Sequence, residues 1–206
     1  MLTTRAWSWT GKPGYKVTVT NPTDAELVES CLAGKRESFD VLVERHQRHV
    51  YQLCYRFVGN HDDASDLAQD VFIRAYRGLA NFKGQASLGT WLYRIGVNVC
   101  LNKVGAKAPR PEALDPLLEA SDERTRSQAE SATDALLRGE RAVQVREAIA
   151  KLPKKQRATL ILRVYHELPH EEIAGILGSS VGAVKANFFH ALNNLKKLMR
   201  EAGFEK

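Results

Sequence analysis

Between Asn81 and Lys103 the chain sets aromatic, amide and cationic side chains close together: Phe82, Lys83, Gln85, Trp91, Arg94 and Asn98. They offer a π face, hydrogen bonds to base edges and positive charge, which suits an unstacked nucleobase. A helix with Trp91 and Ile95 in a core and the remaining groups in solvent satisfies the same pattern. A second group closes the chain, from His170 to Met199. Ile173, Ala174 and Leu177 stripe a short helix, Gly178-Ser179-Ser180 makes a turn, and Val184, Phe188, Ala191, Leu195 and Leu198 stripe a longer helix. Gly178 is placed to close the first helix and Ser180 to cap the second. This is a helix-turn-helix layout, in which the second helix enters the DNA major groove.

The third group is Asp66 to Arg77. Gln69, Phe72, Ile73 and Tyr76 cannot all point inward together with Leu67, Ala68, Val71 and Ala75. Large apolar side chains left outside and rimmed by Asp66, Asp70 and Arg74 suggest a protein-binding surface. A helix buried on two sides of its own bundle accounts for the pattern equally well. His46 and His49, near Asp62 and Asp63 in sequence, could suggest a metal site, but His46 falls on an apolar stripe and no further ligand pattern follows. There is no nucleophile motif, phosphate-cradling glycine loop or paired-carboxylate signature. The sequence therefore points to no enzyme, no metal and no cofactor.

These groups need elements to hold them. Thr23 with Glu26 is a capping-box pattern for a first helix ending at Gly34. Phe39, Leu42, Val43, His46, Val50, Leu53, Cys54 and Phe57 share one face of a long second helix, which Gly59-Asn60 breaks. Asp62 can cap a third helix whose inner face is Ala64, Leu67, Ala68, Val71, Ala75 and Leu79. Thr90 can cap a fourth, which runs to about Lys103. Helices resume near Glu140, and Val143, Val145, Ile149 and Leu152 precede Pro153. The expected fold is all-α: a four-helix domain at 22–104, a flexible acidic linker at 105–139, and a helix-turn-helix domain at 140–206. Residues 1–21 read as a disordered tail, with a short Tyr15–Thr20 strand as the alternative.

The formal charge of +6 over 206 residues fits a polyanionic partner. Residues 112–140 run the other way, with eight acidic side chains against three arginines. DNA would repel that segment and attract what flanks it. Cys31, Cys54 and Cys100 are far apart, with no zinc spacing, and read as reduced thiols in a cytoplasmic protein. No apolar run approaches the roughly 20 residues that span a bilayer, so membrane insertion is not expected.

Taken in order, DLAQDVFIRAYR, TWLYRIGVN and LPKKQRATLILRVYHELPHEEIAGILGSSVGAVK, divided by an acidic linker, resemble the extracytoplasmic-function class of sigma-70-family RNA polymerase sigma factors. The resemblance covers about Asp24 to Leu198. It implies that Asp66, Gln69, Asp70, Phe72 and Ile73 dock on the clamp helices of core RNA polymerase. It implies that Phe82, Lys83, Gln85, Ser87, Trp91, Arg94 and Asn98 capture the minus-ten element of promoter DNA, with one base flipped into a loop pocket. It assigns Ser180, Val181, Lys185, Ala186, Asn187, Phe189 and His190 to the minus-thirty-five element, and the helices before them to the polymerase flap. Many relatives carry arginine where this chain has Asn187 and His190. A neutral histidine lacks the bidentate fork that reads guanine, so the element's sequence stays open. The resemblance also implies a sequestering anti-sigma factor, which could hold the protein at the membrane.

A linker of about 30 residues extends to roughly 100 Å. Promoter elements about 20 base pairs apart are separated by roughly 70 Å. Both domains can therefore engage one promoter. Two other functions fit parts of the chain. An ordinary helix-turn-helix regulator would use 140–206 and leave the front motifs idle. An interaction protein would use the front domain alone to hold a partner.

Overall fold

The structure is a computed structural model that describes residues 21–106 and 132–203. Among the described residues there are eight α-helices and no strand. They are α1 (Asp24–Leu32), α2 (Glu37–Val58), α3 (His61–Gly78), α4 (Leu88–Ala106), α5 (Ala132–Ala150), α6 (Lys154–Val164), α7 (His170–Leu177) and α8 (Val181–Glu201); a 3-10 turn, Leu79–Asn81, follows α3. The all-α, two-domain architecture read from the sequence is the one observed.

In the front domain α1, α3 and α4 pack on the long α2. Every residue assigned to the inner face of α3 is buried: Ala64, Leu67, Ala68, Val71, Ala75 and, in the turn beyond, Leu79. They meet Leu42, Val50, Leu53, Cys54 and Phe57 of α2 and Leu92, Val97 and Cys100 of α4. Closest approach occurs at Gly96, where a Cβ would sit 2.8 Å from Leu53 Cδ2, so glycine lets α4 lie against α2. The Thr23 capping box forms, with the Thr23 hydroxyl accepting from the Glu26 N–H and the Glu26 carboxylate accepting from the Thr23 N–H. Asp24 of the same turn takes Arg45 at 3.0 Å and His46 Nε2 at 2.7 Å, which ties α1 to α2. His46 is thus engaged in a structural contact with Asp24.

Several boundaries differ from the sequence expectation. Asn60, not Asp62, caps α3, its side chain accepting from the Asp63 N–H. Ser87, not Thr90, caps α4, its hydroxyl accepting from the Thr90 N–H at 3.1 Å. Helix starts drift because several short polar residues in a row can each serve as the cap. The fifth helix begins at Ala132, inside the segment expected to be linker, and α4 runs to Ala106. Residues 132–140 lack proline, and helix propagation is favourable once the neighbouring turns exist. Asn21, placed in the tail, has its side chain bound by Arg45 at 2.6 Å. The Tyr15–Thr20 strand and the acidic stretch 107–131 lie outside the described residues.

The rear domain packs α8 across α5, α6 and α7. Gly178 closes α7 in the left-handed region (φ 57), and the Ser180 hydroxyl caps α8 by accepting from the Ala183 N–H at 3.2 Å. Val184 and Ala191 are fully buried, while Phe188, Leu195 and Leu198 pack half-buried along the same stripe.

Candidate nucleic-acid and polymerase interfaces

The loop after the 3-10 turn folds back over the start of α4 and encloses a cavity of about 280 Å³. Phe82, Lys83, Gln85, Trp91 and Arg94 line it, together with Asn81, Gly84, Ala86 and Thr90. Gly84 adopts φ +67, a left-handed turn that bends the loop inward without a Cβ penalty. The Phe82 and Trp91 rings lie 5.3 Å apart at 49°, forming an apolar floor. Lys83, Gln85 and Arg94 are exposed at the mouth. An aromatic floor with amide and cationic groups at the rim can stack a base and bond its edge. Ser87 and Asn98 lie outside the lining: Ser87 is occupied as the α4 cap, and Asn98 is exposed farther along α4.

On α3 the apolar excess splits between two environments. Phe72 is half-buried and packs against the core, whereas Ile73 remains 49 % exposed and Tyr76 43 % exposed. Asp66 and Gln69 are exposed beside them. Asp70 receives two hydrogen bonds from Arg74 Nε at 3.0 Å, which holds its carboxylate in a fixed orientation. Part of the apolar face thus points to solvent, and the bundle does not bury this helix on both sides.

The outward side of α8 presents Lys185, Ala186, Phe189 and His190, all exposed, with Phe189 at 62 %. Asn187 is half-buried, Val181 packs half-buried on the core, and Ser180 is engaged in the cap. The exposed four follow i, i+1, i+4, i+5 spacing, which puts them on one face and leaves them accessible to a groove.

Two features of the site were not foreseen from the sequence. Ile176, left out of the stripe named from the sequence, is only 3 % exposed; it joins the core cluster and, with Gly175, forms a wall of the loop cavity. Arg157 of α6 is 2 % exposed and donates from Nη2 to the Phe57 carbonyl at the end of α2 and from Nη1 to the Ala150 carbonyl at 3.3 Å. The last carbonyls of a helix have no intrahelical partner, so the Phe57 oxygen is a natural acceptor. Burial pushes the Arg157 guanidinium down to about 10. The one signal in the sequence is an extra isoleucine on a short helix that already has its stripe.

Comparison with known proteins agrees with this layout. The sequence matches Sigma-70 region 2 over residues 42–109 and Sigma-70, region 4 over residues 142–195. It is 36 % identical over 192 residues to the RNA polymerase sigma-H factor of Pseudomonas aeruginosa, covering 89 % of this chain and 100 % of that protein. It is 35 % identical over 173 residues to the ECF RNA polymerase sigma-E factor of Escherichia coli, covering 82 % and 90 %. Among solved structures, CnrH in complex with the cytosolic domain of CnrY superposes with a TM-score of 0.59 at 25 % identity, over 85 % of this chain and 96 % of that one. The sigma factor RpoE of Bartonella quintana, solved with the anti-sigma factor NepR, shares the fold at a TM-score of 0.56 and 20 % identity, over 80 % and 98 %. With region 2 in the four-helix domain, region 4 in the helix-turn-helix domain and full-length relatives of this kind, the chain belongs to the ECF group of sigma-70-family RNA polymerase sigma factors.

Proposed function

We propose the following division of labour within this sigma factor. The exposed face of α3, with Asp66, Gln69, Asp70, Phe72 and Ile73, docks on the clamp helices of core RNA polymerase. The loop cavity takes a flipped base of the minus-ten element: Phe82 and Trp91 stack it, while Lys83, Gln85 and Arg94 hold its edge and backbone. Asn98 contacts the same strand beyond the cavity, and Ser87 acts through the α4 cap that sets the loop. Lys185, Ala186, Phe189 and His190 read the minus-thirty-five element, with Asn187 beside them. The Ser180 cap and Val181 seat the recognition helix, and the helices before it meet the flap. The 105–139 segment joins the two domains across the promoter.

The cavity carries this reading. An aromatic floor rimmed by an amide and two cations, beside an exposed apolar helix face, suits melted DNA delivered by a protein platform. A duplex-only regulator would use neither. Control by an anti-sigma factor is part of this reading: RpoE of Bartonella quintana, which shares the fold, was solved with the anti-sigma factor NepR. On this reading the protein is cytoplasmic and reaches the membrane only through such a partner. Among the described residues no helix is long and apolar enough to cross a membrane. The family supplies no catalytic residues, and the site residues act by binding alone. In vitro transcription on a panel of genomic templates tests the proposal. Core polymerase plus this chain is expected to start RNA at defined sites; no such starts beyond those of core polymerase alone would overturn it.

A further inference from the structure

We propose that this sigma factor reads its minus-thirty-five element through thymine methyl groups, with Phe189 and Ala186 as the specificity determinants and no arginine fork on guanine. The proposal rests on the reading of α8 as the helix that enters the duplex. Phe189 is the most exposed large apolar side chain among the described residues, at 62 %. It takes no part in the core cluster, and the His190 ring meets it edge-on at 5.8 Å. It shares the outward face of α8 with Lys185, Ala186 and His190. In the major groove the bases present hydrogen-bond donors and acceptors, and thymine alone adds a methyl group. An exposed phenyl ring that enters the groove therefore has one class of apolar partner there.

The rest of the face fits that partner. Ala186 precedes Phe189 by three residues, so the two share a side of the helix. They are offset by roughly 4.5 Å along its axis, against roughly 3.4 Å per base step. Two neighbouring thymines match that offset. Gly182 and Ala183 are exposed in the turn before, and a Cβ on Gly182 would meet open space. No long side chain there holds the backbone away from the bases, so a methyl comes within reach of a side chain as short as Ala186. The polar groups do not supply a guanine reader. Arginine is absent from α8 until Arg200 in its last turn. Lys185 has no planar fork, and a neutral His190 has a single N–H. Asn187, a residue type that pairs with adenine, is half-buried and off the exposed row. Lys185 and His190 thus hold the helix on the duplex, while the apolar pair between them chooses the base.

The test uses core polymerase carrying the full chain, on start sites mapped by in vitro transcription. Upstream elements aligned from those sites should share two neighbouring thymines, on one strand or across the two. Deoxyuridine in place of either removes only the methyl and should weaken holoenzyme binding about fourfold, the weight of one buried methyl. Cytosine at the same place should weaken it further, and 5-methylcytosine should recover part of that loss. Replacing the element's guanines by 7-deazaguanine should change binding by less than about twofold. In Phe189→Ala the deoxyuridine penalty at one thymine should vanish, with the parent duplex bound as weakly as its uracil form; Phe189→Leu should keep most of the penalty. Lys185→Ala should weaken thymine and uracil duplexes alike. Uracil tolerated at every upstream position, a penalty that persists undiminished in Phe189→Ala, or a larger loss from 7-deazaguanine overturns the methyl reading. The placement of α8 is judged separately. Binding that survives replacement of the whole upstream element by unrelated sequence overturns that placement, whereas loss there with uracil tolerated overturns the methyl reading alone. Absence of defined start sites overturns the sigma reading on which both rest.

Discussion

The loop cavity and the recognition face of α8 are both nucleic-acid surfaces on this reading, yet the fold treats them differently. The α8 face is a row of exposed side chains on one rigid helix, held by a cap and by Val184 and Ala191 behind it. The cavity is composite: its floor joins Phe82 of the loop to Trp91 of α4, its rim draws on both, and one wall comes from α7 in the other domain. A surface on a single helix is available whenever the helix is folded. One assembled from two domains changes when they move. A duplex reader can therefore be permanent, while a melted-strand site can be conditional.

Four comparisons sharpen that contrast, beginning with the largest effect. Phe57 is fully buried beside Arg157, so Phe57→Ala should cost about 3–5 kcal/mol in urea unfolding. Phe189→Ala on the open face should cost under about 0.5 kcal/mol, because its ring is mostly exposed. Similar losses at the two positions would erase the distinction between them.

Acid comes next. Burial, with His49 and Arg56 nearby, pushes His166 down to about 4 where it lies 3.0 Å from Tyr93 of α4, against an ordinary value of 6.5. The stability tied to keeping this histidine neutral is fully present above about 6.5 and drains away as pH falls toward 4, by up to about 1.4 kcal/mol per pH unit. Urea unfolding of the full chain between pH 7.5 and 5 should show the loss, and His166→Gln should flatten it. The same pH dependence in His166→Gln would remove His166 from it.

Trp91→Ala should weaken single-strand binding by about 1–3 kcal/mol through lost stacking, with duplex binding by the rear domain unchanged. Equal losses in both anisotropy titrations would mean the two surfaces are not separate. The smallest effect is Lys185→Ala, which should lower the salt slope of promoter binding by about one if it meets a phosphate. An unaltered slope would exclude that contact.

Much of this was legible because local physics sets it. The inner face of α3 came from period alone, since six apolar residues recur at helical spacing and a helix must turn them one way. The Gly178 and Ser180 ends of the helix-turn-helix were readable because only a few residue types satisfy orphan backbone groups there. Where neighbours competed for one job, the reading slipped. Asn60 took the cap expected of Asp62, and Ser87 the cap expected of Thr90. The Phe72–Ile73 pair shows a further limit: both were candidates for exposure, but only contact with neighbouring helices decided that Phe72 turns inward.

Sequence alone therefore determined the helices, the two domains and the face each helix keeps from water, because those follow from apolar spacing and backbone needs within a few turns. Tertiary structure decided the rest. Ile176 became a wall of a cavity about ninety residues earlier in the chain, and Arg157 became the buried partner of a carbonyl at the end of α2. Spacing gave Ile176 an i, i+3 relation to Ile173 but not its neighbour, and Arg157 no apolar signature at all, since each takes its role from atoms that only the packing of one domain on the other brings within reach.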